Sequence, residues 1–507
     1  MRGVFLAVLM IGMTVAVGAT AQTVLVAQGE ATGIADHGAR AWLGLPYAAP
    51  PVGDLRWRPP VVATGWNGVR PADHFSADCR QGLSPDGLGP WTAEYMAPGP
   101  VSEDCLYLNV WAPSDAQRKL PVMVWIHGGA FTGGSGSVPI YNGAALAQRG
   151  VIVVTINYRV GVYGFLADKE LRAEAPAGCG NYGLLDQIAA LRWVKENIAA
   201  FGGDPERVTV AGQSAGAASV HFLISSPMAS GLFQQAIAES GSGMGGRLPT
   251  RGEAEAGGER LKAAAGVHSV VDLRALSPDQ LEAAAGKASL GFAPVLDEAV
   301  VTSVANRNDV PVLTGMTANE TSSNGLFHAD DLTPEGFRAF VTTAYGALAG
   351  QVLAAYPPGL DAAAARESRD DLARDRGLAA MDLWAEGRIA SSHQPIYAYL
   401  WTHVEPGPEA ERYKAFHSSE MPYVFGTLDA AARPFTAADR ALSQRTGDMW
   451  AQFIKAGRPD DGWPEFGASG GKIVGIGDDV AVRPVLPAAR LALFKAYVAA
   501  GGNVGIF

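Results

Sequence analysis

Three short apolar runs constrain this chain more than any other feature: PVMVWI at 121–126, VIVVTI at 151–156 and RVTVA at 207–211. Runs of this length, with no polar alternation, suit strands covered on both faces. Between the second and third, Leu184, Ile188, Leu191, Val194 and Ile198 recur at helical spacing. Gly202 and Gly203 stop that helix, and Asp204 and Pro205 are expected to turn the chain into the next strand. Strand, helix, strand in this order predicts parallel strands joined by crossovers, hence an α/β sheet. Further strands are expected at 310–315 and 396–403. The segments 245–291 and 333–389 read as mainly helical insertions, or a lid, laid over the sheet. No internal repeat or low-complexity linker divides residues 22–507, which are read as one domain.

Composition narrows the partners. The formal net charge of −11 repels nucleic acid and anionic membrane surfaces. The N-terminus begins with Arg2, continues through an apolar stretch from Val4 to Val17 and ends in Ala19-Thr20-Ala21. That pattern predicts a secretory signal peptide over 1–21, cleaved after Ala21. Loss of Arg2 takes the charge from −11 to −12. No later segment is apolar and long enough for stable membrane insertion, so the expected location is the periplasm or the medium. Export permits a disulfide. Of Cys79, Cys105 and Cys179, one must stay unpaired. Cys79 and Cys105 bracket a Gly/Pro-rich stretch that gains from closure, which leaves Cys179 as an idle thiol.

The chemistry is carried by G-x-S-x-G at Gly212, Ser214 and Gly216. A serine on a sharp strand-to-helix turn needs small neighbours, because side chains there collide. The run 207–211 supplies the strand and 215–224 a plausible helix, whose N-terminus aims amide donors at the reacting centre. By itself the motif is also compatible with an ordinary Gly/Ser turn. A second Gly-rich loop, HGGAF at 127–131, follows the strand 121–126. Such a loop can present backbone N–H groups to a developing oxyanion, each worth about 2.7–4 kcal/mol of barrier. The expected donors are Gly129 and Ala130, with Ala215 after the serine. Gly128 permits the turn and is an alternative donor. His127 is expected to organise the loop rather than act as base.

At this point the chain resembles the type-B carboxylesterases, the family that also contains the cholinesterases. The resemblance rests on WLGLPYAAPPVGDLRW at 42–57, EDCLYLN at 103–109, NYR at 157–159, NYGLLDQ at 181–187 and FGGDP at 201–205. It runs over nearly all of the chain beyond Val24. It implies an α/β-hydrolase fold with a large mixed, mostly parallel central sheet and helical insertions forming a gorge. It also implies the pairing of Cys79 with Cys105.

Spacing alone does not choose a general base among the remaining histidines. The segment HSSEMPYVFG at 417–426 resembles the family's catalytic-histidine segment, which implies His417. GMTANE at 315–320 resembles its acid loop, which implies Glu320, with Asp330, Asp331 and Glu420 as alternatives. Thr321 stands where the family usually has glycine, and Gln213 where glutamate is common before the serine. The order Ser214, Glu320, His417 is that of α/β hydrolases.

The implied activity is hydrolysis of small-molecule carboxylic esters through an acyl-enzyme, with no metal or cofactor. A histidine base predicts activity that falls below about pH 6.5. The same machinery serves amide, lactone, polyester or toxin-ester cleavage, and some relatives of the fold are non-catalytic adhesion proteins. Trp91 either lines the gorge or packs its own loop. The ester's identity and the oligomeric state are open at this level.

Overall fold

The computed structural model describes residues 22–115, 119–303, 306–322 and 332–506. The expected signal peptide and the alternative acids Asp330 and Asp331 lie outside the described residues.

Among the described residues, eleven strands form the main sheet, numbered in chain order. The first five are β1 (Ile34–Asp36), β2 (Ala39–Pro46), β3 (Tyr107–Pro113), β4 (Leu120–Ile126) and β5 (Ile152–Ile156). The rest are β6 (Gly203–Gln213), β7 (Gln235–Glu239), β8 (Val312–Thr317), β9 (Ile396–Trp401), β10 (Lys472–Ile476) and β11 (Val480–Pro484). Across the sheet the order is β11-β10-β9-β8-β7-β6-β4-β5-β3-β2-β1. The block from β5 to β10 is parallel. Both margins are antiparallel.

The apolar runs form strands because both faces are covered. In β4, Val122, Val124 and Ile126 join one core layer, while Met123 and Trp125 join the other. The first layer takes Leu184, Ile188 and Leu191 from the helix Tyr182–Asn197 and Val220 and Leu223 from Ala215–Ser225. The second takes Leu378 and Met381 from Ala362–Ile389 and Trp450 and Phe453 from Ala437–Ala456. Among the described residues no helix is long and apolar enough to cross a membrane.

One local expectation needs correction. Gly202 does end the helical stretch, in the left-handed region at φ 92°. Asp204 and Pro205, however, already lie inside β6, whose pairing with β4 shifts register between Gly203 and Val208. The irregular backbone around Pro205 is absorbed within the strand rather than in a turn before it.

The topology places the functional region. From β4 the chain moves to β5 on one side and, several helices later, to β6 on the other. Such a reversal opens a crevice beyond the carboxyl ends of the strands. The loop after β4, the serine after β6 and the acidic segment after β8 all leave the sheet at that edge. A loop closed by the Cys79–Cys105 disulfide borders it, while Cys179 is buried and unpaired. Burial raises the Cys179 thiol above its ordinary pKa, which suits an idle side chain.

Candidate active site

Ser214 stands alone between the end of β6 and the helix Ala215–Ser225, at φ 59° and ψ −124°. A non-glycine residue there is strained, and the surroundings must hold it. Its N–H donates to the Glu239 carbonyl at 2.9 Å, and its carbonyl accepts from Ala218 N at 2.9 Å. The flanking glycines are steric necessities. A Cβ on Gly212 would lie 2.6 Å from Gly216, and one on Gly216 would lie 2.0 Å from the Ile126 carbonyl oxygen. The corner is therefore seated directly on the end of β4.

The loop after β4 passes through three successive positive φ values, 111° at Gly129, 53° at Ala130 and 60° at Phe131. Thr132 and Gly133 both donate to the Gly129 carbonyl, at 2.9 and 3.0 Å. Among the described residues none accepts a hydrogen bond from the amides of Gly129, Ala130 or Ala215. His127 braces this loop. Its Nδ1–H donates to the Gly128 carbonyl at 2.8 Å, and its ring stacks on Tyr158 with centroids 4.3 Å apart. Burial pushes its pKa down to about 4, so it is neutral at pH 7.

Two residues that the sequence reading did not single out brace the loop from the disulfide side. Gln81 accepts from Gly134 N at 2.7 Å and donates back to the Gly134 carbonyl at 2.8 Å. Buried Asp78 accepts from the hydroxyls of Ser135 and Ser137, at 2.5 and 2.7 Å. Their only sequence signal was proximity to Cys79.

Glu320 and His417 are brought together by main-chain pairing. Asn319 bridges to Phe416, and Asn319 N donates to the Ala415 carbonyl at 3.0 Å. Glu320 Oε2 then meets His417 Nδ1 in a hydrogen bond. The other oxygen, Oε1, accepts from Thr317 N at 2.7 Å and from Ser240 Oγ at 2.5 Å. Ser240 was another unforeseen participant. Thr321 keeps a negative φ, so the backbone here has no need of the family's glycine. Glu420 is fully buried, and among the described residues its carboxylate oxygens have no hydrogen-bond partner. Burial first, then the charges of Glu239 and Glu320, push its carboxyl well above the usual range. Glu239, held by Trp450 Nε1 at 3.0 Å and Tyr399 Oη at 3.3 Å, is raised as well, by burial. Both favour the protonated form.

Ser214, Glu320 and His417 all line one cavity of about 620 Å³. Gly128, Gly129 and Ala130 line it too, whereas Ala215 does not. Trp91 forms part of the wall, so the gorge reading of this residue holds. Its Nε1 donates to the His417 carbonyl at 2.9 Å, and its ring meets the imidazole edge-on. Leu83, Leu88, Tyr95 and Met96 from the disulfide loop complete an apolar side.

The mixed sheet, the strained serine corner and the crevice at the switch point define an α/β hydrolase. Residues 20–494 match the model of the carboxylesterase family. The chain belongs to that family and is a serine hydrolase acting on carboxylic esters, by the acyl-enzyme route general to it. It is 37% identical over 493 residues to a fumonisin B1 esterase of Sphingopyxis macrogoltabida, covering 87% of this chain and 85% of that one. It is 36% identical over 476 residues to a para-nitrobenzyl esterase of Bacillus subtilis, covering 88% and 93%. A solved PNB esterase structure superposes with a TM-score of 0.78 at 33% identity, covering 94% of this chain and 99% of that one.

Proposed function

We propose that Ser214 is the nucleophile, His417 the general base and Glu320 the acid that orients it. The observation that carries this reading is the Glu320–His417 Nδ1 contact, made by two remote segments on the wall of the cavity that Ser214 also lines. With its Nδ1 proton directed at Glu320, the imidazole leaves Nε2 as acceptor. It takes the Ser214 proton as Oγ attacks the ester carbonyl. The amides of Gly129, Ala130 and Ala215 then receive the oxyanion. Collapse breaks the ester C–O bond, and His417 returns the proton to the departing alcohol. Water, deprotonated by His417, attacks the acyl-enzyme and releases the acid.

Among the described residues the cavity wall carries no Lys or Arg. That favours uncharged esters whose apolar part packs on Leu83, Leu88 and Trp91. The similarity to the fumonisin B1 esterase leaves toxin esters a second substrate reading. Export after cleavage at Ala21, with 22–507 as one hydrolase domain, is part of the same proposal and is supported by the N-terminal pattern and by the disulfide. A panel of p-nitrophenyl acyl esters of increasing chain length, run beside Ser214→Ala, tests the assignment. Ester hydrolysis should be lost in the variant. Hydrolysis at the parent rate would remove Ser214 from the mechanism.

A further inference from the structure

We infer that Arg433 is a positioning residue that sets how the apolar part of the ester fits, by clamping the tip of the disulfide loop and so holding Trp91. This rests on the assignment of Ser214 and His417 and on the apolar wall described above. The Cys79–Cys105 bond ties the loop only at its ends. Its tip is a small turn closed on itself. Leu88 N donates to the Trp91 carbonyl at 2.8 Å, and Trp91 N to the Leu88 carbonyl at 3.2 Å. The Trp91 ring reaches the base, with Nε1 donating to the His417 carbonyl at 2.9 Å. The chain on either side of Trp91 is gripped by Arg433. Its Nη2 donates to the Pro90 carbonyl at 2.9 Å and to Thr92 Oγ1 at 2.7 Å. Its Nε donates to Glu94 Oε1 at 3.1 Å, and Thr92 Oγ1 donates to the same carboxylate oxygen at 2.5 Å.

The clamp is itself fixed. Arg433 lies just before the helix Ala437–Ala456, and its side chain is only 8% exposed. It sits between two buried carboxylates, Glu94 and Glu405, with Glu405 Oε1 at 3.4 Å. Glu405 Oε2 accepts from Tyr95 Oη at 2.8 Å, which ties a second wall residue to the same hub. The guanidinium also lies over the rings of Tyr95 and Phe416, 5.8 and 5.9 Å from their centroids. A planar fork can serve a carbonyl, a hydroxyl and a carboxylate at once. A lysine ammonium would keep the charge between Glu94 and Glu405 but could not hold all three acceptors in that plane. His417 is held independently, by Glu320 and by the pairing of Asn319 with Phe416. Loosening the tip should therefore shift the wall and leave the base in place. Among the described residues Arg433 does not line the cavity, so its influence on substrate passes through the wall.

The test compares a bulky ester, p-nitrophenyl hexanoate, with methyl acetate, both of whose halves are too small to reach the wall. Arg433→Lys should lower kcat/KM for the hexanoate on the order of 10-fold, chiefly through KM. For methyl acetate, followed by acid release at constant pH, the change should stay within about 2-fold. Thr92→Val keeps the shape and the buried charges but removes the hydroxyl that Arg433 holds. It should give a smaller loss in the same direction, and it carries the test if thermal midpoints show that Arg433→Lys does not fold. A double-mutant cycle with Trp91→Ala asks whether Arg433 acts through that ring. In the Trp91→Ala background most of the Arg433→Lys effect on the hexanoate should disappear. Equal losses on both esters, no loss on the hexanoate, or an effect that persists in full without Trp91 overturns the inference. Ser214→Ala separates the two claims: if it is inactive while the Arg433 and Thr92 variants behave as the parent, only the role of Arg433 fails.

Discussion

Replacing Glu320 with glutamine isolates what the carboxylate does for His417. The structure decides how the new amide must sit. Oε1 accepts from a fixed backbone donor, Thr317 N, and from Ser240 Oγ. Turning the amide nitrogen toward those donors would forfeit two buried hydrogen bonds, at about 1–3 kcal/mol each. The amide oxygen therefore stays at the Oε1 position and the NH2 group faces His417 Nδ1. That nitrogen must then accept, so the ring proton moves to Nε2, where the serine proton has to go. The base is disabled without being displaced. The expected loss in kcat is about 10⁴, the size known for the wrong tautomer in a serine triad, or about 5.5 kcal/mol of barrier. KM and the thermal midpoint should hardly change, because the Oε1 bonds survive. Glu320→Ala leaves the ring unguided without imposing the wrong tautomer and should lose no more than the glutamine variant. Steady-state and burst kinetics with p-nitrophenyl acetate read both. A Glu320→Gln enzyme retaining more than about a tenth of the parent kcat refutes the reasoning.

Three further outcomes follow from single contacts. Gly216→Ala drives a Cβ to 2.0 Å from the Ile126 carbonyl oxygen, a rigid strand atom. It should cost about 3 kcal/mol in urea unfolding and abolish turnover, and a stable, active variant would contradict the steric account of the corner. Removing the Cys79–Cys105 bond, which closes 26 residues, should lower stability by about 3.5 kcal/mol on the chain-entropy model, read by urea unfolding of the double alanine variant. Glu405 beside Arg433 and Tyr95 is pushed up to about 7, chiefly by burial. Its folded pKa is raised, so its contribution is full below the unfolded value of about 4.5 and is lost as pH rises through 7. That amounts to about 3 kcal/mol. Glu405→Gln should flatten the fall in unfolding free energy between pH 5 and 8, and an unchanged slope would exclude this group as its source.

The parallel core of the fold was readable because its strands are buried on both faces and so appear as plain apolar runs. Strands β4, β5, β6, β8 and β9 emerge within a few residues of 121–126, 151–156, 207–211, 310–315 and 396–403. The margins were not readable in the same way. β11 is largely exposed, and β2 carries Gly44 and Pro46, which disguise a strand. In the site, Gly212 and Gly216 announced the corner because backbone contact forbids any other residue there. Glu320 and His417 depended on family resemblance, since their meeting is set by the pairing of Asn319 with Phe416, nearly a hundred residues apart. Gln81 and Ser240 left no pattern, because each acts through one side chain placed by tertiary packing.

The central claim is that Ser214 carries the acyl group. The direct measurement is mass spectrometry of the enzyme after reaction with a fluorophosphonate, with peptide mapping of the adduct and parallel assay of Ser214→Ala. One adduct per chain on Ser214, loss of esterase activity in step with labelling, and an inactive alanine variant are the predicted results. An adduct elsewhere, or a Ser214→Ala enzyme that hydrolyses p-nitrophenyl esters at the parent rate, would contradict it.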